Sequence, residues 1–191
     1  MYHYIASHTQ YIAIALIVLT SIVISSTMIL IRCHKRIREL EKVGFFDPLT
    51  ELGNKLLLEE KAAYTIINQA ILDNQSGVKG DVSAFFITLN DFKTIADRSA
   101  KNFILESVAA NIESSIRPSD YCFTISYGEF LIVASGLGED ERAELADTVE
   151  AFVQNIGMAY DVTAHIEIES ASINTIAVNS NAFRTLVGIP V

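Results

Sequence analysis

Residues 117–130 read Arg-Pro-Ser-Asp-Tyr-Cys-Phe-Thr-Ile-Ser-Tyr-Gly-Glu-Phe, and this stretch carries the clearest structural pattern in the chain. Tyr121, Phe123 and Ile125 alternate with smaller residues, as in a strand that buries one face. Residues 126–129 can reverse the chain, and the apolar run that follows begins with Phe-Leu-Ile-Val. The pattern predicts a strand, a tight turn and a second strand.

The segments around this hairpin predict an α+β domain. Residues 82–89 are almost continuously apolar and rich in β-branched and aromatic side chains, which is typical of a buried central strand. Residues 162–168 alternate between apolar and polar and predict another strand, with residues 172–178 as its hairpin partner. Apolar residues at helical spacing predict three helices, at about residues 55–73, 100–116 and 140–156. This order of elements predicts helices flanking a mostly antiparallel sheet.

The N-terminal segment has a different composition. Residues 1–31 contain no Asp, Glu, Lys or Arg, and residues 11–31 are an apolar run interrupted only by Ser and Thr. About 20 such residues span the hydrocarbon core of a bilayer as a helix. A basic cluster follows at once, which marks the cytoplasmic side of a span: Arg32, Lys35, Arg36 and Arg38. We therefore expect a transmembrane helix at 11–31 in the lipid bilayer, with residues 1–10 as a short extracytoplasmic N-terminus and residues 32–44 as a basic juxtamembrane linker.

Charge and cysteine content limit the function of the remaining domain, residues 45–191. It holds 9 Lys and Arg against 21 Asp and Glu, a net charge of −12. Nucleic acid is excluded as a partner because binding it requires clustered cations. Cys33 and Cys122 lie far apart, have no His or Cys neighbour at metal-ligand spacing, and predict neither a disulfide nor a metal site.

Several segments resemble the GGDEF family, the diguanylate cyclases, in order and spacing over about residues 45–170. The family's N-terminal Asp-x-Leu-Thr motif is similar to residues 47–55, its first strand and exit to residues 88–97, and its next helix to residues 101–109. The signature turn of the family reads Gly-Gly-Asp/Glu-Glu-Phe. The five positions here are Ser126, Tyr127, Gly128, Glu129 and Phe130, so only the last two fit and the signature turn is degenerate.

The departures from the family pattern fall on its chemistry. The resemblance implies that a first-strand aspartate and the acidic third residue of the turn hold two magnesium ions; these positions are Thr88 and Gly128 here. A hydroxyl and a hydrogen are poor ligands for a hard dication. The positions that read guanine in the family correspond to Ala96 and Asn102. We therefore expect no catalytic residue, no metal, no cofactor and no cyclase activity.

One binding motif of the family is retained. Family members carry an inhibitory Arg-x-x-Asp site, five residues before the turn, that binds cyclic di-GMP; Arg117 and Asp120 fit it. A guanidinium can donate to O6 and N7 of guanine. The alternative interpretation is a surface salt bridge worth under about 1 kcal/mol. The family's site also uses a later arginine, for which Arg142 is the nearest candidate.

The resemblance implies a role in bacterial cyclic di-GMP signalling. We expect a chain anchored in the inner membrane, with its C-terminal domain in the cytoplasm, that acts as a catalytically inactive regulatory module docking on a protein partner or forming a homodimer. The alternative is a cyclic di-GMP receptor that uses Arg117 and Asp120, and an active cyclase is the least favoured interpretation. The family's C-terminal phosphate-binding segment has no clear counterpart in residues 179–191, which suggests a truncated domain.

Overall fold

The computed structural model describes residues 19–37, 44–77, 81–158 and 160–189. The chain divides between Gly44 and Phe45 into two units, which are described separately. In the first unit, residues 19–37 form helix α1.

The predicted transmembrane helix is not supported. Among the described residues, no helix combines the length and the apolar composition that crossing a membrane requires. Residues 11–18 of the predicted span lie outside the described residues, as do the predicted extracytoplasmic residues 1–10.

The second unit is built on one five-stranded sheet. Its strands are β1 (Gly53–Asn54), β2 (Asp81–Asn90), β3 (Tyr121–Ser126), β4 (Glu129–Ser135) and β5 (Thr163–Ser172). They lie in the order β1-β3-β4-β2-β5, so β2 is internal as predicted. The sheet is mixed, because β1 pairs parallel to β3 whereas the other neighbours pair antiparallel.

The predicted helices are confirmed. The first is one helical run, α2 (Lys55–Leu57), a π-helical turn (Leu58–Ala62) and α3 (Ala63–Gln75). Its start follows from Asn54, whose side-chain oxygen accepts a hydrogen bond from the backbone N–H of Leu57 at 3.0 Å. The other two are α4 (Arg98–Ser115) and α5 (Glu139–Gly157).

Two hydrophobic cores cover the two faces of the sheet, because successive strand residues point to opposite faces. On β2, Phe85 and Ile87 pack with α4 and α5, whereas Val82 and Ala84 pack with α3 and the two C-terminal helices. Those helices are α6 (Ile173–Val178) and α7 (Ser180–Leu186). The α+β class is therefore correct.

The strand predicted at 172–178 is wrong, since residues 173–178 form α6. Strand β5 continues to Ser172, whose side chain accepts a hydrogen bond from the backbone N–H of Asn174 at 3.3 Å and starts the helix. Ile173 and Ile176, three residues apart, are both buried in the core that contains α3. Burial of this helical face outweighs the strand preference of the isoleucines.

Candidate functional site

The hairpin between β3 and β4 ends in a tight turn. Ser126 pairs with Glu129, which leaves Tyr127 and Gly128 as the loop. The backbone of Gly128 has φ +87°, and a Cβ atom there would lie 3.0 Å from Cδ1 of Phe92. The Gly128 carbonyl also accepts a hydrogen bond from the backbone N–H of Leu89 at 2.9 Å. Glycine is required here because the turn has a left-handed conformation and lies close against Phe92 at the end of β2.

Two aromatic rings support this turn. The Phe92 ring is fully buried, and its centroid lies 5.1 Å from that of Tyr127, with the ring planes tilted by 53°. This is a favourable distance for an aromatic pair. Tyr127 remains 48% exposed, so one side of its ring is anchored and the rest faces solvent. Sequence reasoning missed the supporting role of Phe92, although its place directly after a buried strand was a usable signal.

The positions that the resemblance assigns to metal ligands lie together but carry few donors. Thr88 on β2 pairs with Glu129 on β4 and with His165 on β5. Thr88 and His165 are exposed, and Glu129 is half-buried. Within the described part of the chain, no group of three or more His, Cys, Asp and Glu side chains could hold a metal ion. This donor set does not fit the two magnesium ions that the resemblance implies.

The positions that correspond to guanine recognition lie at the start of α4. Asp97 caps this helix, since its carboxylate accepts a hydrogen bond from the backbone N–H of Ser99 at 2.8 Å. Ala96 is exposed in the preceding loop, and Asn102 is half-buried in the helix. The alanine side chain supplies no hydrogen-bonding group, so of these two positions Asn102 alone carries a side chain that could bond to a base edge.

Arg117 and Asp120 form an ion pair, which is the contact that the alternative interpretation of the motif predicts. Nε of Arg117 donates to Oδ2 of Asp120 at 3.0 Å, and Nη2 donates to Oδ1 at 3.2 Å. Nη2 also donates to the carbonyl of Ser135 at 2.6 Å. The hydrogen bond to Asp120 raises the pKa of Arg117. The side chain of Asp120 is only 2% exposed and that of Arg117 is 45% exposed, so the guanidinium is the accessible partner.

Arg142, whose contacts the sequence could not predict, binds the loop that connects β4 to α5. Its Nη1 donates to the carbonyl of Leu137 at 3.4 Å and lies 3.7 Å from Oδ2 of Asp81. Leu137 is two residues beyond Ser135, so Arg117 and Arg142 both bind the connection between β4 and α5. These arginine contacts join segments that are distant in the sequence, so the spacing of apolar residues does not predict them.

A surface cavity of about 290 Å³ lies beside Arg117 and Asp120, between the end of α4 and α5. Ile116, Leu137 and Leu145 provide apolar lining. Glu141 and Glu144 also line the cavity and bring carboxylates near the guanidinium.

Both cysteines are free thiols. Cys122 is half-buried on β3, and burial raises its pKa to about 11. The thiol therefore stays neutral at physiological pH and packs as a small apolar side chain.

Proteins of known function resemble this chain in sequence. It is 31% identical over 168 residues to the bifunctional diguanylate cyclase/cyclic di-GMP phosphodiesterase MucR of Pseudomonas aeruginosa. It is 29% identical over 102 residues to the diguanylate cyclase DgcS of Shewanella oneidensis. The matches cover 85% and 52% of this chain but only 23% and 32% of the two relatives.

Solved structures share the fold. The coiled coil and GGDEF domain of DgcB from Caulobacter crescentus, in complex with c-di-GMP, matches with a TM-score of 0.66 and 14% identity, over 86% of this chain and 91% of that one. The diguanylate cyclase SiaD in complex with its activator SiaC, from Pseudomonas aeruginosa, matches with a TM-score of 0.54 and 17% identity, over 94% and 73%.

These comparisons contradict the prediction that the domain is not an enzyme. Both curated relatives are named as diguanylate cyclases. Nothing in the described part of the structure shows a loss of activity.

The family comparison covers most of the chain. The model described as "Diguanylate cyclase, GGDEF domain" matches residues 44–187, which includes every strand of the sheet and the signature turn. The chain therefore belongs to the GGDEF domain family and carries the fold of proteins that act in cyclic di-GMP signalling.

Proposed function

We propose that this domain acts as a regulatory module of cyclic di-GMP signalling that binds the dinucleotide beside Arg117. The observation that supports this proposal is the guanidinium itself. It is held in place by Asp120 and Ser135, it is 45% exposed, and it lines a cavity of about 290 Å³. A fixed, accessible guanidinium is suited to the O6 and N7 acceptors of guanine.

The two residues of the motif take different roles in this proposal. The hydrogen bonds among the described residues engage Nε and Nη2 of Arg117, and Nη1 takes part in none of them. Nη1 is therefore the group available to a base. Asp120 is a positioning residue, because its carboxylate is buried against the arginine that it orients. The carboxylates of Glu141 and Glu144 line the cavity and would repel the negatively charged phosphates of the ligand. We therefore expect micromolar rather than nanomolar affinity.

Calorimetric titration of the full chain with cyclic di-GMP tests the proposal. We expect Arg117→Ala to weaken binding at least about tenfold, since a hydrogen bond to a charged group contributes about 1.5–3 kcal/mol. Arg117→Lys should not restore it, because an ammonium group cannot keep the paired hydrogen bonds to Asp120 and also present a second nitrogen to the base. The control is Lys55→Ala, which removes a positive charge at the exposed start of α2 and should bind like the wild type.

Two outcomes contradict the receptor: no heat at millimolar ligand, or equal affinity of the wild type and Arg117→Ala. Circular dichroism spectra must agree between variants, because Arg117 also holds the Ser135 carbonyl. Synthesis of cyclic di-GMP from GTP and magnesium is measured on the same preparations, so that ligand binding and catalytic activity are determined separately.

A second candidate is a protein-interaction module, either docking on another protein or forming a homodimer. The burial of Asp120 in an ion pair with Arg117 favours this candidate over ligand binding. Such an ion pair can serve the fold alone and needs no ligand. SiaD, which has this fold, was solved with a protein activator. Sedimentation velocity over a range of concentrations tests the homodimer, which a constant monomer mass would exclude.

We also propose that residues 11–31 attach the chain to the bacterial inner membrane, with the C-terminal domain in the cytoplasm. The absence of charged residues from positions 1–31 and the basic cluster after them support this. Deleting residues 1–31 should move the chain from the membrane pellet to the supernatant, whereas deleting residues 1–10 should not. Recovery of the full chain in the supernatant would contradict the proposal.

A further inference from the structure

A buried pair of hydroxyl groups links the beginning of the domain to the strand that carries the signature turn. Oγ1 of Thr50 lies 2.7 Å from Oγ1 of Thr124, and each threonine is 9% exposed. Thr124 lies on β3, two residues before Ser126, where the signature turn begins. The two threonines are 74 residues apart in sequence.

Thr50 belongs to a well-bonded loop, residues 47–52, which we call the initial turn. Oδ1 of Asp47 accepts hydrogen bonds from the backbone N–H groups of Leu49 and Thr50, at 3.1 and 2.8 Å. The backbone N–H of Asp47 donates to the carbonyl of Leu52 at 2.8 Å, which closes the loop. The position of Asp47 therefore determines the position of Thr50.

The order of the protons in this network follows from donor and acceptor chemistry. Oγ1 of Thr50 lies 2.9 Å from Oδ1 of Asp47, and an ionised carboxylate can only accept. The single hydroxyl proton of Thr50 is thus donated to Asp47. Thr124 must then donate to Thr50, which gives the chain Thr124 to Thr50 to Asp47. Removing the middle hydroxyl leaves a buried donor on Thr124 without its acceptor.

We propose that Thr50 is a positioning residue that couples the initial turn to the signature turn through Thr124. Between Thr124 and Ser126 the pairing of β3 with β4 shifts register, so the strand is irregular just before the turn. Irregular strand ends are weakly held by their own ladder. A displacement of the chain at Asp47 is therefore passed to residues 126–129 through two hydrogen bonds. This device is independent of ligand binding at Arg117.

Hydrogen exchange of the full chain, read by mass spectrometry, tests the coupling. Thr50→Val keeps the side-chain shape and removes the hydroxyl. We expect about tenfold faster exchange in peptides covering residues 124–130, with exchange in α5 unchanged. Thr50→Ser, which keeps the hydroxyl, should restore the wild-type rate. The same substitution at an exposed helix position, Thr65→Val, should change neither region.

A purely structural role predicts a different result. If Thr50→Val accelerates exchange equally in residues 124–130 and in α5, or leaves residues 124–130 unchanged, the coupling is refuted. Thr124→Val provides a second variant should Thr50→Val fail to fold. If the two threonines act as one unit, the double variant exchanges no faster at residues 124–130 than either single variant. Additive acceleration would also overturn the proposal.

Discussion

Replacing Phe92 by alanine is expected to lower the free energy of unfolding by about 3–5 kcal/mol. Phe92 is fully buried and belongs to the core between the sheet and helices α4 and α5. Truncation removes the transfer free energy of the ring and leaves a cavity beneath the signature turn. The Tyr127 ring also loses its aromatic partner, so the turn should become more mobile than the rest of the hairpin.

Urea unfolding of the full chain, followed by circular dichroism, measures this change. Phe103→Ala is the matched control, since this phenylalanine is 59% exposed on α4. We expect Phe103→Ala to change the free energy of unfolding by less than about 1 kcal/mol. Similar losses for the two variants would contradict the assignment of Phe92 to the core that supports the turn.

Gly157→Ala is expected to destabilise the domain by about 3 kcal/mol, although it adds a single methyl group. Gly157 is buried at the end of α5, and a Cβ atom there would lie 2.1 Å from the carbonyl oxygen of Val162. The carbonyl of Val162 belongs to the backbone, so it cannot rotate away from the added methyl group as a side chain would. The carbonyl of Gly157 also accepts the backbone N–H of Val162 at 3.2 Å, so the chain entering β5 is held against the helix end.

The control for this variant is Gly138→Ala, at the other end of the same helix. Gly138 has ordinary backbone geometry, and the nearest atom to a Cβ there is Oε2 of Glu141 at 3.5 Å. We expect Gly138→Ala to change the free energy of unfolding by less than about 1 kcal/mol. An unchanged urea midpoint for Gly157→Ala would show that the Val162 carbonyl can move aside at little cost.

The prediction of lost enzymatic activity shows where sequence reasoning exceeded its evidence. The sequence analysis interpreted Thr88 and Gly128 as departures from the family pattern, and the structure places both beside Glu129. The inference from these departures to inactivity is contradicted by the family match and by the relatives named as diguanylate cyclases. The side chains at positions 88 and 128 determine how a metal ion could be bound there. Cyclase activity is a separate property, which the assay with GTP and magnesium measures.

Local spacing in the sequence determined the helices, the hairpin and the pairing of Arg117 with Asp120. These features join residues within a few positions of one another, so periodicity and turn chemistry suffice to predict them. Three features became visible only in the folded chain: residues 173–178 are helical, Arg142 binds the connection between β4 and α5, and Thr50 contacts Thr124. Each of these depends on burial or hydrogen bonding between segments distant in the chain. Such contacts form only when the sheet brings those segments together, and so no local pattern records them.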